Sequence, residues 1–208
     1  VYKRQTRRYS SSLEKIIKVV DSRPGEIMFG LNLIVNRGKT IFLCDTSVIE
    51  YPDAKQLAEM AKSAARVVRL FGFDPKIAFL SHSTFGEPAT DRTKRLSDAV
   101  EILKKDNVDF KFDGEMQPDV ALEEVYKELY PFSEIVGSSN VLIMPSQHSA
   151  AISYKMIKSM SRAKVIGPLL VGLGQPIEIA PLRSSTSDII NLASIAAYSA
   201  DVIKYKKN

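Results

Sequence analysis

Residues 77–84 read Ile-Ala-Phe-Leu-Ser-His-Ser-Thr, and this stretch decides the fold class of the sequence. Four consecutive apolar residues predict a short buried strand, and the polar run after them predicts a turn. Further along, Leu96, Val100 and Leu103 recur at helical spacing. The stretch therefore predicts a strand, a turn and a helix in succession, which is the repeating unit of α/β proteins.

The same order of segments occurs twice more along the chain. Residues 141–144 predict a strand, which is followed by a polar turn and by a helix with apolar residues up to Met160. Residues 164–170 predict a further strand, and a Gly- and Pro-rich connection leads to a last helix over about 187–203. Strands that alternate with helices favour a mostly parallel sheet flanked by helices.

The amino-terminal half adds a hairpin and a long helix. Residues 27–35 and 40–44 predict two strands, and Asn36-Arg37-Gly38 between them predicts the turn of a β-hairpin at one end of the sheet. From Pro52 to Gly72, apolar residues fall on one face at helical spacing, which predicts an amphipathic helix.

Composition indicates an ordinary globular protein of 208 residues, long enough for one substantial core or two small ones. Cys44 is the only cysteine, so an intrachain disulfide is excluded, and a buried thiol in a reducing cytoplasm is the simplest interpretation. No apolar stretch reaches the roughly 20 residues of a membrane-spanning helix. The sequence begins at Val1, with neither an initiator Met nor a signal-peptide pattern. We therefore expect it to be part of a longer protein.

The net charge of +5 suggests a nucleic-acid-binding protein until the charges are located. Seven basic residues lie within residues 1–10 and 204–207, and subtracting these seven from +5 leaves −2 for the rest of the chain. A mildly acidic body with basic ends argues against a nucleic-acid partner and favours solvated termini.

Polar residues cluster where two predicted strands end. Ligands of open parallel sheets usually bind beyond the carboxyl ends of the strands, and both His82 and His148 follow such ends. A site for an anionic ligand would add the neighbouring hydroxyl groups, namely those of Ser81, Ser83, Thr84, Ser146 and Ser149. The alternative is that these residues only close turns and cap helices.

Residues 113–115, Asp-Gly-Glu, allow two interpretations. Asp113 and Glu115 would supply two carboxylates for acid–base chemistry if they lay at the same edge of the sheet. A solvated turn around Gly114, closing the strand 110–112, is the simpler prediction. Two histidines without metal-ligand spacing predict no metal site.

Several segments resemble the phosphate acetyl/butyryl transferase family in order and spacing. They are His82–Gly86, Asp113–Asp119, Val141–Pro145 and Gly167–Leu173. The resemblance runs from about residue 24 to residue 198. Three further segments are similar to one branch, the phosphotransacetylase-like C-terminal region of bacterial NADP-dependent malic enzymes: Leu129–Phe132, His148–Ser153 and Val165–Leu173.

The resemblance implies a phosphotransacetylase-like fold of two subdomains, most of the first being absent here. Residues 1–20 would be a basic lead-in and a remnant of the first subdomain, and residues 21–177 would form the main subdomain. Residues 178–208 would carry the C-terminal helix that returns to the first subdomain.

Active members of the family carry a Ser-Arg pair and, six residues after the Arg, an Asp that deprotonates coenzyme A. The resemblance puts Asp188 at the position of that Asp, but Pro181 and Leu182 at those of the pair. Arg183 lies one place later, and Ser184 and Ser185 beside it become candidate ligand contacts. Residues 185–188 also fit a capping box at a helix start.

The branch resemblance implies a regulatory and oligomerising domain, itself without transferase activity, that responds to acetyl-CoA or phosphate. Malate oxidation, with NADP and a divalent metal, would occur on an amino-terminal domain absent here, and this part would form a symmetric dimer. Glu115 and Arg183 would join the rim residues in holding the ligand. The alternative is a phosphate acetyltransferase, with Asp188 as base and Arg183 as phosphate ligand.

Overall fold

The computed structural model describes residues 9–182 and 184–205, with side chains up to residue 200. The helices of these ranges are α1 (Tyr9–Ile16), α2 (Ala54–Leu70), α3 (Asp91–Lys105), α4 (Pro118–Leu122), α5 (Gln147–Met160) and α6 (Thr186–Tyr205). The strands are β1 (Phe29–Asn36), β2 (Lys39–Cys44), β3 (Lys76–Leu80), β4 (Lys111–Met116), β5 (Val141–Ile143) and β6 (Lys164–Val171). A 3-10 helix spans Glu124–Glu128.

The strands form one sheet in the order β4-β3-β5-β2-β1-β6. Strand β2 pairs with β5 in parallel, and β3 pairs in parallel with both β5 and β4. Strand β1 is antiparallel to both of its neighbours, β2 and β6. The prediction of a mostly parallel sheet flanked by helices is confirmed.

The predicted hairpin is present, but its predicted place at one end of the sheet is wrong. Arg37 and Gly38 connect β1 to β2 with φ angles of 49° and 79°. Positive φ at both central residues is what a two-residue turn of type I′ requires. The outer edge of β1 would expose unpaired N–H and C=O groups, and β6 covers it by pairing there.

Helix α2 begins with a capping box and buries the predicted apolar face. The Asp53 side chain accepts a hydrogen bond from the Gln56 N–H at 2.8 Å, and the Gln56 side chain accepts one from the Asp53 N–H at 2.9 Å. The buried residues of the helix include Leu57, Met60, Ala61, Ala64 and Val68. This face packs against the sheet in the larger of two cores, to which α3 and Leu192 of α6 also contribute.

The second core lies on the opposite face of the sheet. It joins Leu43, Ala78 and Leu142 of the sheet to Val120 of α4 and Ala150 of α5. Helices therefore cover both faces, as parallel strands that are apolar on both sides require.

The predicted turn at residues 113–115 is wrong, because β4 continues to Met116. Gly114 pairs with Phe79 of β3, and its φ of 142° is a conformation that only glycine adopts readily. A Cβ atom on Gly114 would lie 2.8 Å from the Phe79 carbonyl oxygen. The glycine thus reflects the close approach of two strands.

The last two long helices are covered less completely than α2. Helix α5 buries only Ala150, whereas Ile152, Met156 and Met160 are 49%, 54% and 81% exposed. Helix α6 buries Leu192 against the larger core. The packing of α6 on a separate subdomain stays a prediction.

Cys44 is free and fully buried, and burial raises the pKa of its thiol, as expected of a structural cysteine. Of the helices that the structure describes, none combines the length and the apolar character needed to span a bilayer.

Candidate functional site

A cavity of about 370 Å³ opens at the carboxyl edge of the sheet, where β3 and β5 end. Its lining comes from the end of β3, from the turns after β3 and β5, from the loop before α2, from α3, and from the first turns of α4 and α5. The lining residues are Tyr51, Leu80, Ser81, His82, Arg92, Arg95, Leu96, Pro118, Met144, Pro145, Ser146 and Ser149. The structure therefore brings Ser81 and His82 together with the turn that precedes His148. We call this space the rim cavity.

Arg95 braces the rim cavity from α3. Its two terminal nitrogens donate hydrogen bonds to the carbonyl oxygens of Pro52 and Pro145, at 2.6 and 2.8 Å. Its guanidinium carbon lies 3.6 Å from the centroid of the Tyr51 ring, a cation–π contact. Burial lowers the pKa of Arg95, and the neighbouring Tyr51 and Asp53 partly oppose that shift.

The charges around the rim cavity favour an anionic ligand over a cationic one. Arg92 and Arg95 supply two guanidinium groups, and no Asp or Glu is part of the lining among the described residues. The Nε atom of Arg95 is buried and has no hydrogen-bond partner among the described residues. Ser146 caps α5 by accepting the Ser149 N–H at 3.2 Å, so the positive end of that helix dipole lies at the same edge.

The sequence patterns did not identify Arg92 and Arg95 as candidate site residues. They lie three residues apart at the start of α3, within Asp91-Arg92-Thr93-Lys94-Arg95, a run typical of a solvated helix face. Their spacing places both on one side of the helix that follows the polar turn containing His82. That combination was the available signal.

Ser83 and Thr84 are buried beside the rim cavity rather than lining it. The Ser83 hydroxyl donates to Oε1 of Glu115 at 3.0 Å. The Thr84 hydroxyl oxygen accepts the Gln117 N–H at 3.2 Å. Both side chains tie the turn after β3 to the end of β4.

Glu115 is the centre of this connection. Its carboxylate is 1% exposed and accepts hydrogen bonds from the Ser83 hydroxyl, the Gly86 N–H at 2.7 Å and the Ser97 hydroxyl. Three donors from β3's turn and from α3 thus occupy the carboxylate. The ligand contact predicted for Glu115 stays a prediction, and it is not needed to explain this residue.

The two histidines do not lie together in the lining. His82 is exposed and lines the rim cavity, while His148 is exposed on the first turn of α5 and is absent from the lining. Within the described residues, no group of three or more His, Cys, Asp or Glu side chains is arranged to hold a metal ion.

The segment that enters α6 forms the predicted capping box. One oxygen of Asp188 accepts the Ser185 N–H at 2.9 Å and the Ser185 hydroxyl at 2.8 Å, and the Asp188 N–H donates back to that hydroxyl at 3.2 Å. These bonds lower the pKa of Asp188, and Lys158 and Lys164 contribute to the shift. Ser184, Ser185 and Asp188 do not line the rim cavity, and Arg183 lies outside the described residues.

Comparisons with known proteins agree on one family. The family model described as "Phosphate acetyl/butaryl transferase" matches residues 4–197. The NADP-dependent malic enzyme of Rhizobium meliloti (strain 1021) is 44% identical over 195 residues, which are 94% of this chain and 26% of that protein. The phosphate acetyltransferase of Bacillus subtilis (strain 168) is 31% identical over 193 residues, 92% of this chain and 60% of that protein.

Solved structures give the same result. A phosphotransacetylase from Streptococcus pyogenes superposes with a TM-score of 0.88 at 30% identity, covering 93% of this chain and 60% of that one. The EutD phosphotransacetylase from Staphylococcus aureus gives 0.82 at 27% identity, covering 91% and 59%. The chain thus spans about a quarter of the malic enzyme from Rhizobium meliloti and about three-fifths of these transferases.

Proposed function

Because this chain belongs to the phosphate acetyl/butyryl transferase family, we propose that it is the regulatory and oligomerising domain of a cytoplasmic, NADP-dependent malic enzyme. The higher identity to a malic enzyme than to the transferases supports this assignment. Oxidative decarboxylation of malate, with NADP and a divalent metal, would take place on another domain. The domain described here would sense acetyl-CoA.

The geometry of Asp188 carries the proposal that this domain is not itself a transferase. At the position of the family's base, a carboxylate must accept a proton from a thiol. Asp188 instead caps α6, and its hydrogen bonds with Ser185 lower its pKa, which makes it a weaker proton acceptor. The resemblance puts Pro181 and Leu182, both exposed, at the positions of the family's Ser and Arg, and neither side chain can bind phosphate.

The rim cavity supports binding of the effector without turnover. Its volume lies within the range of about 300–1,000 Å³ that is typical of small-molecule sites. Arg92 suits a phosphate group of coenzyme A, since a guanidinium binds phosphate through two parallel N–H donors. Arg95, whose terminal nitrogens bind carbonyl oxygens, would add its positive charge. Hydroxyl groups of the lining, among them those of Ser81 and Ser149, would complete the contacts.

We expect the purified 208-residue chain to bind acetyl-CoA but not to transfer its acetyl group to phosphate. Binding is measured by titration calorimetry, with an expected dissociation constant below about 1 mM. Thiol release is followed in the presence of phosphate. Replacement of Arg92 by Ala should weaken binding at least about tenfold, because a charge-assisted hydrogen bond is lost.

Lys94→Ala is the matched control for this experiment, because Lys94 is exposed on the same turn of α3 and does not line the rim cavity. We expect it to leave acetyl-CoA binding unchanged. Acetyl transfer to phosphate at about 10 turnovers per second, the median for enzymes, would support the acetyltransferase alternative instead. Equal binding by the Arg92 and Lys94 variants would place the effector elsewhere.

The exposed face of α5 supports the proposed dimer. Ile152, Met156 and Met160 are spaced four residues apart and form an apolar stripe along a helix that buries only Ala150. Contiguous exposed apolar surface of this kind usually marks an interface. A two-fold axis beside α5 would let the stripe of one copy cover that of the other.

Replacing Met156 by Glu should convert the dimer into a monomer, because it introduces a charge at the centre of the stripe, and two copies would bring two like charges together. The measurement is the molar mass by light scattering at tens of micromolar protein. Met156→Leu keeps an apolar side chain of similar volume and should remain dimeric. A monomeric unsubstituted chain would refute the proposed dimer, and a dimeric Glu variant would move the interface away from α5.

A further inference from the structure

A second cavity, of about 330 Å³, lies between α2, α6 and the carboxyl end of β6. It shares no lining residue with the rim cavity. Most of its wall is apolar and comes from Val67, Leu70, Phe71, Leu169, Leu173 and Ile195. We call it the α2–α6 cavity.

Glu178 places a carboxyl group in this apolar wall. One of its oxygens accepts the Leu170 N–H at 3.1 Å, and the other has no hydrogen-bond partner among the described residues. Burial raises the pKa of Glu178 to about 8, although the bond from Leu170 partly opposes the shift. At neutral pH the carboxyl group is therefore mostly protonated. Because Oε2 accepts the Leu170 N–H, the proton lies on Oε1, and this O–H can donate a hydrogen bond.

Other polar side chains line the cavity as well, and one group of them is already paired. Arg66, whose side chain is about half exposed, pairs with Glu26 at 3.1 Å and donates to the Ser63 hydroxyl at 2.7 Å. These three groups satisfy one another. Glu178, which is partly buried and has one oxygen engaged by β6, is the group that we expect to orient a bound molecule.

Water is a poor occupant of this space. A buried water molecule needs two to four polar partners, and most of this wall offers none. An apolar molecule would gain by displacing such water, and one polar atom on it would accept a hydrogen bond from the Glu178 O–H. A carboxylate would accept the same hydrogen bond but would bring a charge into an apolar wall. An ammonium group would require Glu178 to ionise in that wall.

We propose that the α2–α6 cavity binds a small neutral aliphatic molecule whose carbonyl or hydroxyl oxygen accepts a hydrogen bond from Glu178. The aliphatic body packs between α2 and α6, and the oxygen points towards the end of β6. This binding is independent of acetyl-CoA and of the rim cavity.

Binding should weaken as the pH rises, because Glu178 loses its donor proton as the pH passes about 8. Other titratable or charged groups surround the cavity and could add to a pH effect. They are Tyr9 of α1, Arg23 and Glu26 before β1, Arg66 of α2 and Tyr198 of α6. A Glu178→Gln variant separates the contributions, since its amide donates a hydrogen bond at every pH.

The test uses 2-heptanone as the probe and backbone amide NMR shifts of the full chain as the readout. In the unsubstituted protein at pH 6.5, the amides of Leu170, Leu173 and Ile195 should shift saturably, with a dissociation constant of about 1 mM or tighter. At pH 9 the affinity should fall about fivefold. Glu178→Gln should bind equally well at both pH values, and Glu178→Ala should bind weakly at both.

Ile195→Phe fills the cavity with an aromatic ring and should abolish the shifts while the chain remains folded. Three results would overturn the proposal: no saturable shift of these amides, the same pH dependence in the Gln variant as in the unsubstituted chain, or tighter binding of hexylamine or hexanoate than of the ketone. The last result would show that the cavity selects a charged ligand.

Discussion

Replacement of Glu115 by Ala should lower the free energy of unfolding by about 3 kcal/mol or more. The carboxylate is buried and accepts hydrogen bonds from Ser83, Gly86 and Ser97, so its removal takes this acceptor away from three donors. The Ser83 hydroxyl can turn towards Ser81, whose oxygen lies 3.1 Å away, and the Ser97 hydroxyl also reaches the Thr93 carbonyl oxygen at 3.5 Å. The Gly86 N–H has no second partner among the described residues. Urea denaturation gives the free energy directly.

Glu134→Ala is the matched control for Glu115. Glu134 pairs at 2.8 Å with Lys111, which lies on the same strand as Glu115, but the Glu134 side chain is 73% exposed. An exposed ion pair contributes at most about 1 kcal/mol, so this variant should stay close to the unsubstituted protein. If the two variants lost equal stability, the carboxylate of Glu115 would not be the structural connection that its contacts indicate.

Gly114→Ala should be at least as damaging, with an expected loss of about 3 kcal/mol or more. A side chain disfavours a φ of 142°, and the added Cβ would meet the Phe79 carbonyl oxygen at 2.8 Å and the Phe79 Cβ at 2.9 Å. Neither atom belongs to the end of a flexible side chain, so β3 and β4 would have to separate. The measurement is again urea denaturation.

Gly38→Ala isolates the cost of the backbone conformation. Gly38 also has a positive φ, of 79°, but an added Cβ would have no atom within 4 Å. This variant should lose only about 1–2 kcal/mol. A Gly114 variant that lost no more than the Gly38 variant would show that β3 and β4 separate without cost.

The strands and helices that could be predicted are those with local signals. Residues 77–80 and 141–144 are apolar in every position because parallel strands are buried on both faces, and α2 has both a helical period and a cap. The position of β1 inside the sheet was not predictable in this way. It depends on pairing with β6, far along the chain, and no local pattern encodes that partner.

The features of the site also divide into those that the sequence could predict and those that it could not. That the turns after β3 and β5 meet at one edge followed from the parallel arrangement alone, and Ser81, His82 and Ser146 do line one cavity. Whether a polar side chain faces a ligand or a protein group cannot be read from its type. Ser83, Thr84 and Glu115 have protein partners, while Arg92 and Arg95 line the cavity from a helix that looked merely solvated.

The pairing of β1 with β6 also has a consequence for the protein during its synthesis. Residues 29–36 leave the ribosome about 130 residues before their outer partner is complete. At a translation rate of about 5–20 residues per second, the outer edge of β1 waits on the order of 10 s. For that time an apolar strand edge is available to other nascent chains, so cells that make this protein quickly should depend on chaperones that bind the early sheet.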